Sequence, residues 1–298
     1  MPSTILPVKR IPSSNNSPFP QIKMSHDQLL FHQGDPADHI YLIQEGEIEI
    51  FLAETNIRIA KLGKGEAFGE QAILTGGVRG ASARAINDAT CLEISADNLR
   101  KALDQKAGYA EPAFEALLLQ LALTNQMNSN LSRVSSGAST YKEILDMSNI
   151  QIGGDRKALQ NILKSDKHGY STSEFLFLKL VCNDLLGTTY ISDINGLKRA
   201  FVEQGNALVI TSGAIKVSYE NNTFRIGAGG VIGLAEEIAG VPIRGKFEIL
   251  KSINALVISG EEAYAGLRSM NKGLFGICRS VILRILKLKD APKRLIIN

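Results

Sequence analysis

Short β-like runs punctuated by glycine constrain this chain more than any other feature of it. Between Phe31 and Ile94 such runs alternate with turns at Gln33-Gly34-Asp35, Glu45-Gly46-Glu47, Gly63-Lys64-Gly65 and Asn87-Asp88. This pattern predicts antiparallel strands folded on one another, because glycine reaches backbone conformations that turn a strand sharply at no steric cost. After Ser95-Ala96-Asp97 the pattern changes to helix, with Ser95 or Asp97 as candidate cap and Leu99 and Leu103 on one face. A second helix begins at about Glu111. It carries an apolar stripe of Phe114, Leu117, Leu118, Leu121 and Leu131, interrupted toward its end by Asn125, Gln126, Asn128 and Asn130.

The pattern then repeats with decay. Cys91-Leu92-Glu93-Ile94-Ser95 aligns with Ala255-Leu256-Val257-Ile258-Ser259 at the same offset that brings Gly69 onto Gly233 and Leu103 onto Leu267. Phe31 to Gly46 finds a shortened partner in Phe201 to Gly213. Self-similarity at this spacing predicts two units of one kind. The connector opens with Ser135-Ser136-Gly137-Ala138-Ser139 and continues through helical segments over Arg156 to Leu163 and Ser173 to Leu186, although Ser173 to Leu178 mixes strand and helix signals. The expected organisation is a disordered tail over residues 1–23, a first domain over 24–134, a linker over 135–155 and a second domain over 156–298.

Composition bounds the function. At 298 residues, 44% apolar and 21% charged, the chain has room for two soluble domains. A net charge of +3 is too small to argue for a nucleic-acid or membrane footprint. Cys91, Cys182 and Cys278 are an odd, scattered set, which suits buried thiols in a reducing compartment. His26, His32, His39 and His168 show no ligand spacing, so no metal site is expected. Met1 to Lys23 is rich in Pro, Ser and Asn without the apolar core of a signal peptide. No stretch approaches the ~18 apolar residues of a membrane span. A cytoplasmic protein is expected.

The chemistry concentrates in Phe68-Gly69-Glu70-Gln71-Ala72-Ile73-Leu74, followed shortly by Arg79-Gly80-Ala81-Ser82. A Gly-Glu pair ending an extended run, a short helical turn, then Arg and small residues, can converge free backbone N–H groups and one guanidinium on an anion. With Phe31 to Ile50 upstream and Cys91 to Ser95 downstream, this stretch resembles the phosphate-binding cassette of the cyclic-nucleotide-binding domain. That module is shared by protein kinase A regulatory subunits, cyclic-nucleotide-gated channels and bacterial catabolite-activator-type regulators. The resemblance covers about residues 24 to 134.

The resemblance implies an α+β fold with two β-jelly-roll (double-stranded β-helix) barrels, each flanked by helices that include a long C-terminal closing helix. It implies a ligand site at Gly69, Glu70, Gln71, Ala72, Arg79, Gly80, Ala81 and Ser82. Glu70 would accept from the ribose 2′-hydroxyl, Arg79 would hold the cyclic phosphate with the Gly80 and Ala81 amides, and Ser82 would add a donor. An Arg fork suits two phosphate oxygens better than Lys does. Members preferring cyclic GMP place Thr directly after the arginine. Gly80 stands there instead, which favours cyclic AMP with cyclic GMP as the alternative. Residues between Leu118 and Gln126 of the closing helix are expected near the base. No cofactor, metal or catalytic residue is implied.

In the repeat, Ile232-Gly233-Leu234 replaces Phe68-Gly69-Glu70, and Arg244-Gly245 echoes Arg79-Gly80, while Lys246-Phe247 replaces the small Ala81-Ser82. The second cassette is read as degenerate, serving dimerisation or a partner. Its closing helix, roughly Glu261 to Lys289, carries Leu274, Ile277, Cys278, Val281, Ile282, Ile285 and Leu286 on one face, with Lys272, Arg279, Arg284, Lys287 and Lys289 elsewhere. A core helix with solvated basic residues accounts for this better than a basic docking surface.

The expected function is that of a non-enzymatic cyclic-nucleotide receptor. It would relay binding through closing-helix movement to a protein effector, with the closing helices as candidates for a homodimer. A kinase regulatory subunit, suggested by Arg10-Ile11-Pro12-Ser13, is the alternative. A transcription regulator ranks lower, because no helix-turn-helix follows the first domain.

Overall fold

The computed structural model describes residues 8–12, 19–70, 78–104, 108–131, 142–144, 147, 156–163, 170–219, 222–270 and 272–296. The chain forms two compact units, one of Met1–Gln105 with Lys272–Ser280 and one of Lys106–Asn271 with Val281–Asn298. These do not coincide with the expected boundaries at 24–134 and 156–298.

Among the described residues the first unit contains nine strands: β1 (Lys9–Ile11), β2 (Gln21–Met24), β3 (Leu29–Phe31), β4 (His39–Glu45), β5 (Ile48–Leu52), β6 (Ile57–Leu62), β7 (Ala67–Phe68), β8 (Ser82–Ala85) and β9 (Ala89–Ser95). They form a five-stranded sheet in the order β1-β2-β9-β4-β7 and a four-stranded sheet in the order β3-β8-β5-β6. Most connections therefore cross from one sheet to the other, the wiring of a double Greek key. Alternate side chains turn inward, so that Ile22, Tyr41, Ile43, Ile48, Phe68 and Cys91 are buried in one cluster. The turn at Gly46 is possible for glycine alone: its φ is +80°, and a Cβ there would fall 2.3 Å from the Asp88 carbonyl oxygen. Helix α1 (Ala96–Asp104) follows β9 and is capped by Ser95, whose Oγ accepts from the Asn98 N–H at 3.2 Å.

Strand β1 and all of β2 but Met24 lie inside the stretch 1–23 that the sequence marks as a disordered tail; the rest of that stretch lies largely outside the described residues. Arg10 supplies a reason for the order, since its guanidinium pairs at 3.2 Å with Glu93, a carboxylate only 5% exposed. A buried carboxylate needs such a partner.

The second unit begins with α2 (Ala110–Leu131), followed by β10 (Lys142–Ile144), α3 (Arg156–Leu163), α4 (Thr172–Val181), β11 (Gly187–Ile191) and α5 (Ile194–Lys198), which runs into a π-helical turn over Arg199–Glu203. Then come β12 (Asn206–Tyr219), β13 (Asn222–Ile226), β14 (Val231–Ile232), α6 (Leu234–Ala239), β15 (Lys246–Ser259), α7 (Gly260–Arg268) and α8 (Lys272–Leu286). Residues 272–280 of α8 group with the first unit, where Ser280 Oγ accepts from the Ala67 N–H at 2.8 Å.

One sheet of six strands runs β10-β13-β12-β15-β11, with β14 on β12. Where separate barrel strands are expected, β12 and β15 are single strands of 14 residues each. Their pairing slips between Ile210 and Ile215. Gly213 stands at the slip with a φ of +90°, and a Cβ there would come 2.1 Å from the Ser252 carbonyl oxygen. Gly213 thus repeats Gly46 in conformation and in close approach, as Gly233 (φ +86°) repeats Gly69 (φ +82°).

Several expectations change here. Helix α2, read as the closing helix of the first domain, belongs to the second unit. It also lacks a single apolar stripe: Ala113, Ala116, Leu119 and Leu123 are as buried as Phe114, Leu117, Leu118 and Leu121. A helix buried on every side, as this one is from Pro112 to Leu121, is a core element, packed here among α4, α6, α7 and β14, so the face proposed for a homodimer is covered within the chain. The closing helix expected over Glu261 to Lys289 is two helices, α7 and α8. Ser173 to Leu178 is helical, because Ser171 and Glu174 form a reciprocal capping box, and that helix stops at Val181 rather than Leu186. Within the expected linker, Lys142–Ile144 pairs in parallel with Phe224–Ile226, whereas Ser135 to Ser139 lie outside the described residues. Cys91, Cys182 and Cys278 are buried, and burial pushes the Cys91 and Cys278 thiols up to about 12. Among the described residues, no helix is long and apolar enough to cross a membrane.

Candidate functional site

The site stands on the turn at Gly34 and on the segment that leads into β8, two places distant in sequence that backbone hydrogen bonds join. Gly34, at a φ of +92°, donates its N–H to the Arg79 carbonyl at 2.8 Å, and the Arg79 N–H returns to the Asp35 carbonyl at 2.8 Å. The Asp35 carboxylate closes the turn by accepting from the His32 N–H at 2.7 Å. The Gln33-Gly34-Asp35 signal in the sequence therefore does more than reverse a strand: it fixes the backbone from which Arg79 projects.

That projection is inward. Arg79 is 3% exposed; its Nη1 donates to the Gly69 carbonyl at 2.9 Å and its Nη2 to the His39 carbonyl at 2.6 Å. The guanidinium carbon lies 4.2 Å from the centre of the Phe31 ring and 5.5 Å from that of Tyr41. Phe31, Tyr41 and Phe68 pack together beneath it, with Tyr41 and Phe68 stacked at 5.3 Å. Cation–π attraction and two carbonyls thus hold the charge, but Arg79 Nε is buried with no hydrogen-bond partner among the described residues. A buried charged donor left without an acceptor is costly. Burial also draws the Arg79 guanidinium below its ordinary value, opposed by Tyr41, Asp38 and Glu70, and it pushes the Tyr41 phenol up to about 12. An anion arriving at Arg79 would supply the missing acceptor and favour the charged guanidinium.

Glu70 is 2% exposed and acts electrostatically on Arg79. The sequence therefore brings together the acid and the guanidinium it singled out, and neither is a solvated surface charge. Gly69, next to Glu70, adopts a left-handed backbone at a φ of +82°. Gly80 is exposed, and a Cβ there would meet nothing within 4 Å, so the surroundings of the residue after the arginine are open. Ala81 is half-buried beside it. Ser82 departs from its expected part: it is fully buried in β8, and its Oγ accepts from the Gln33 N–H at 2.9 Å, which ties the turn rather than facing a ligand. Gln71 and Ala72 lie outside the described residues. Phe31, Tyr41 and the His39 carbonyl were not singled out in the sequence, where they read as ordinary strand positions. Nearby, His39 Nδ1 lies 2.8 Å from Asp38; burial raises the Asp38 carboxyl, but its bond to His39 prevails and holds it below the usual range.

Residues 21–106 match the family model described as the cyclic nucleotide-binding domain, a span that contains every described residue of this site. Over 68 residues the chain is 38% identical to the cyclic AMP receptor protein of Thermus thermophilus, covering 22% of this chain and 32% of that one. Over 82 residues it is 30% identical to the cAMP-dependent protein kinase regulatory subunit of Emericella nidulans, covering 28% of this chain and 20% of that one. The chain thus spans under a third of the length of these relatives. A crystal structure of a cyclic nucleotide-binding domain from Methylobacillus flagellatus is 30% identical, covers 29% of this chain and 51% of that chain, and superposes with a TM-score of 0.28. Residues 21–106 carry a cyclic nucleotide-binding domain.

Proposed function

We propose that the chain is a non-enzymatic receptor that binds cyclic AMP in its first unit and passes the event to a protein effector. The observation that carries the reading is the buried Arg79 guanidinium, committed to two backbone carbonyls with its Nε unsatisfied. A cyclic phosphate supplies paired oxygens for such a fork. Glu70 then accepts from the ribose 2′-hydroxyl, and the Gly80 and Ala81 amides complete the phosphate cradle. The open space at Gly80 offers no hydroxyl to a guanine edge, which supports adenine over guanine. Arg79 must exchange carbonyl partners for phosphate oxygens, and Gly69 and His39 stand on the segments released by that exchange. Ligand energy thereby biases the cassette between two arrangements.

The crossing strand order of the first unit and the paired glycines Gly46/Gly213 and Gly69/Gly233 support a reading of both units as jelly-roll barrels, the second with its long strands fused. A cytoplasmic setting remains part of this proposal. The alternative of a kinase regulatory subunit using Arg10-Ile11-Pro12-Ser13 loses support from the pairing of Arg10 with Glu93, and Ser13 lies outside the described residues.

Calorimetric titration of the nucleotide-free protein with cyclic AMP and cyclic GMP tests the reading. One cyclic AMP site per chain, lost in Arg79→Ala while the fold persists, is expected. Unchanged affinity in Arg79→Ala would overturn the assignment.

A further inference from the structure

The second unit holds a cavity of about 130 Å³ at the position of its own altered cassette. Its apolar walls include Leu123 and Met127 of α2, Phe224 of β13, Ile232 of β14, Phe247 of β15 and Ile285 of α8. The residues of α2 expected near a base in the first domain thus line this cavity instead. Two features make it more than a packing gap. Gln120, 5% exposed, is fixed between two partners: its Oε1 accepts from the Ala235 N–H at 2.9 Å and its Nε2 donates to Glu236 Oε2 at 3.0 Å. This holds a carboxyl group on a largely apolar wall. The exposed members of the lining, Arg244 and Lys287, are both cations.

We propose that this cavity is a ligand site for a small aromatic or branched aliphatic carboxylate, with the apolar body inside and the carboxylate toward Arg244 and Lys287. A cyclic nucleotide does not suit it. Leu234, fully buried, stands where Glu70 stands in the first unit, and Phe247 replaces Ser82, so the sugar loses its acceptor and the phosphate its small neighbours. The volume agrees, since a cavity of roughly 150 Å³ lined by apolar side chains admits a benzene ring, whereas sites for larger ligands run to about 300 Å³ and above. A neutral apolar molecule of the same size would make no use of the exposed Arg244 and Lys287. The Glu236 carboxyl is raised by burial despite Arg244, so it opposes an incoming anion less than an ordinary carboxylate would. This site is independent of the nucleotide site in the first unit.

The test is a titration of the full chain, carrying isotope-labelled isoleucine methyls, with sodium benzoate, benzyl alcohol and cyclic AMP, followed by methyl NMR. Saturable shifts of the Ile232, Ile243 and Ile285 signals with benzoate are expected, at a dissociation constant of about 1 mM as befits so small a ligand. Affinity should fall about tenfold in Arg244→Gln combined with Lys287→Gln, two exposed positions whose replacement spares the core. Ile232→Phe, which fills the cavity, should abolish the shifts, with the remaining methyl signals reporting that the fold persists. Absence of saturable shifts with benzoate, equal binding of benzyl alcohol, unchanged benzoate affinity in the double variant, or displacement of benzoate from these methyls by cyclic AMP would each overturn the proposal.

Discussion

The Arg79 guanidinium occupies the space that a side chain at position 69 would need: a Cβ on Gly69 would lie 2.6 Å from Arg79 Nη1. Glycine is required twice here, for that space and for a φ of +82°. Gly69→Ala is expected to cost about 1–2 kcal/mol of stability from the left-handed backbone. By pushing Arg79 out of its aromatic bed, it should also weaken cyclic AMP at least roughly tenfold. Thermal unfolding and calorimetry on one preparation read the two effects separately, and a variant with normal affinity would show that Arg79 needs no fixed seat.

Glu70 is assigned to the sugar and Arg79 to the phosphate, and a ligand change separates the roles. In the parent protein 2′-deoxy cyclic AMP should bind more weakly than cyclic AMP by about 1–3 kcal/mol, the cost of a buried acceptor left without its donor. In Glu70→Gln that difference should shrink while the requirement for the phosphate persists. An undiminished preference for the 2′-hydroxyl in Glu70→Gln would move the sugar contact elsewhere.

The local part of this site is legible in sequence, because Gly34, Gly69, Glu70 and Arg79 are dictated by turn geometry and ion chemistry over short spans. Phe31 and Tyr41 are not, since an aromatic on a strand announces burial without saying what it packs against, and the charge on their faces arrives from another strand connection. Helix α2 shows the same limit on a larger scale. Its apolar residues establish that it is covered, but Leu119 and Leu123 off the expected stripe are the sign that it is covered all round, and no spacing tells which unit does the covering. The long strands of the second unit are hidden in the sequence for the opposite reason: Gly213 signals a turn, yet the ladder slips there and continues.

Gly80 provides a specificity test with little structural risk. Its φ is not in the left-handed region, and a Cβ there meets nothing within 4 Å, so Gly80→Thr should leave the unfolding temperature nearly unchanged. On the proposed reading the new hydroxyl faces the base and should raise cyclic GMP affinity relative to cyclic AMP by roughly tenfold, about the worth of one hydrogen bond. Competition between the two nucleotides measures this directly, and an unaltered ratio would mean that the base lies away from residue 80.

The second unit carries its own pH dependence, set by Glu115 of α2. That carboxyl is 1% exposed and faces Lys179 of α4, which also reaches Glu111 at 2.9 Å. Burial pushes Glu115 up from an ordinary 4.5 to about 7, with Lys179 opposing and Glu111 reinforcing the rise. A group whose value is higher in the folded chain binds its proton more tightly there. The stabilisation is therefore complete below about pH 4.5 and disappears as pH rises through about 7. Lys179, raised by the two carboxylates although burial opposes them, stays charged throughout this window. Stability from this group should fall by on the order of 1–3 kcal/mol between pH 5 and 8. Glu115→Gln should flatten that slope while keeping the Lys179–Glu111 pair. Denaturant titrations at a series of pH values provide the measurement, and a slope that survives in Glu115→Gln would place the titrating group elsewhere.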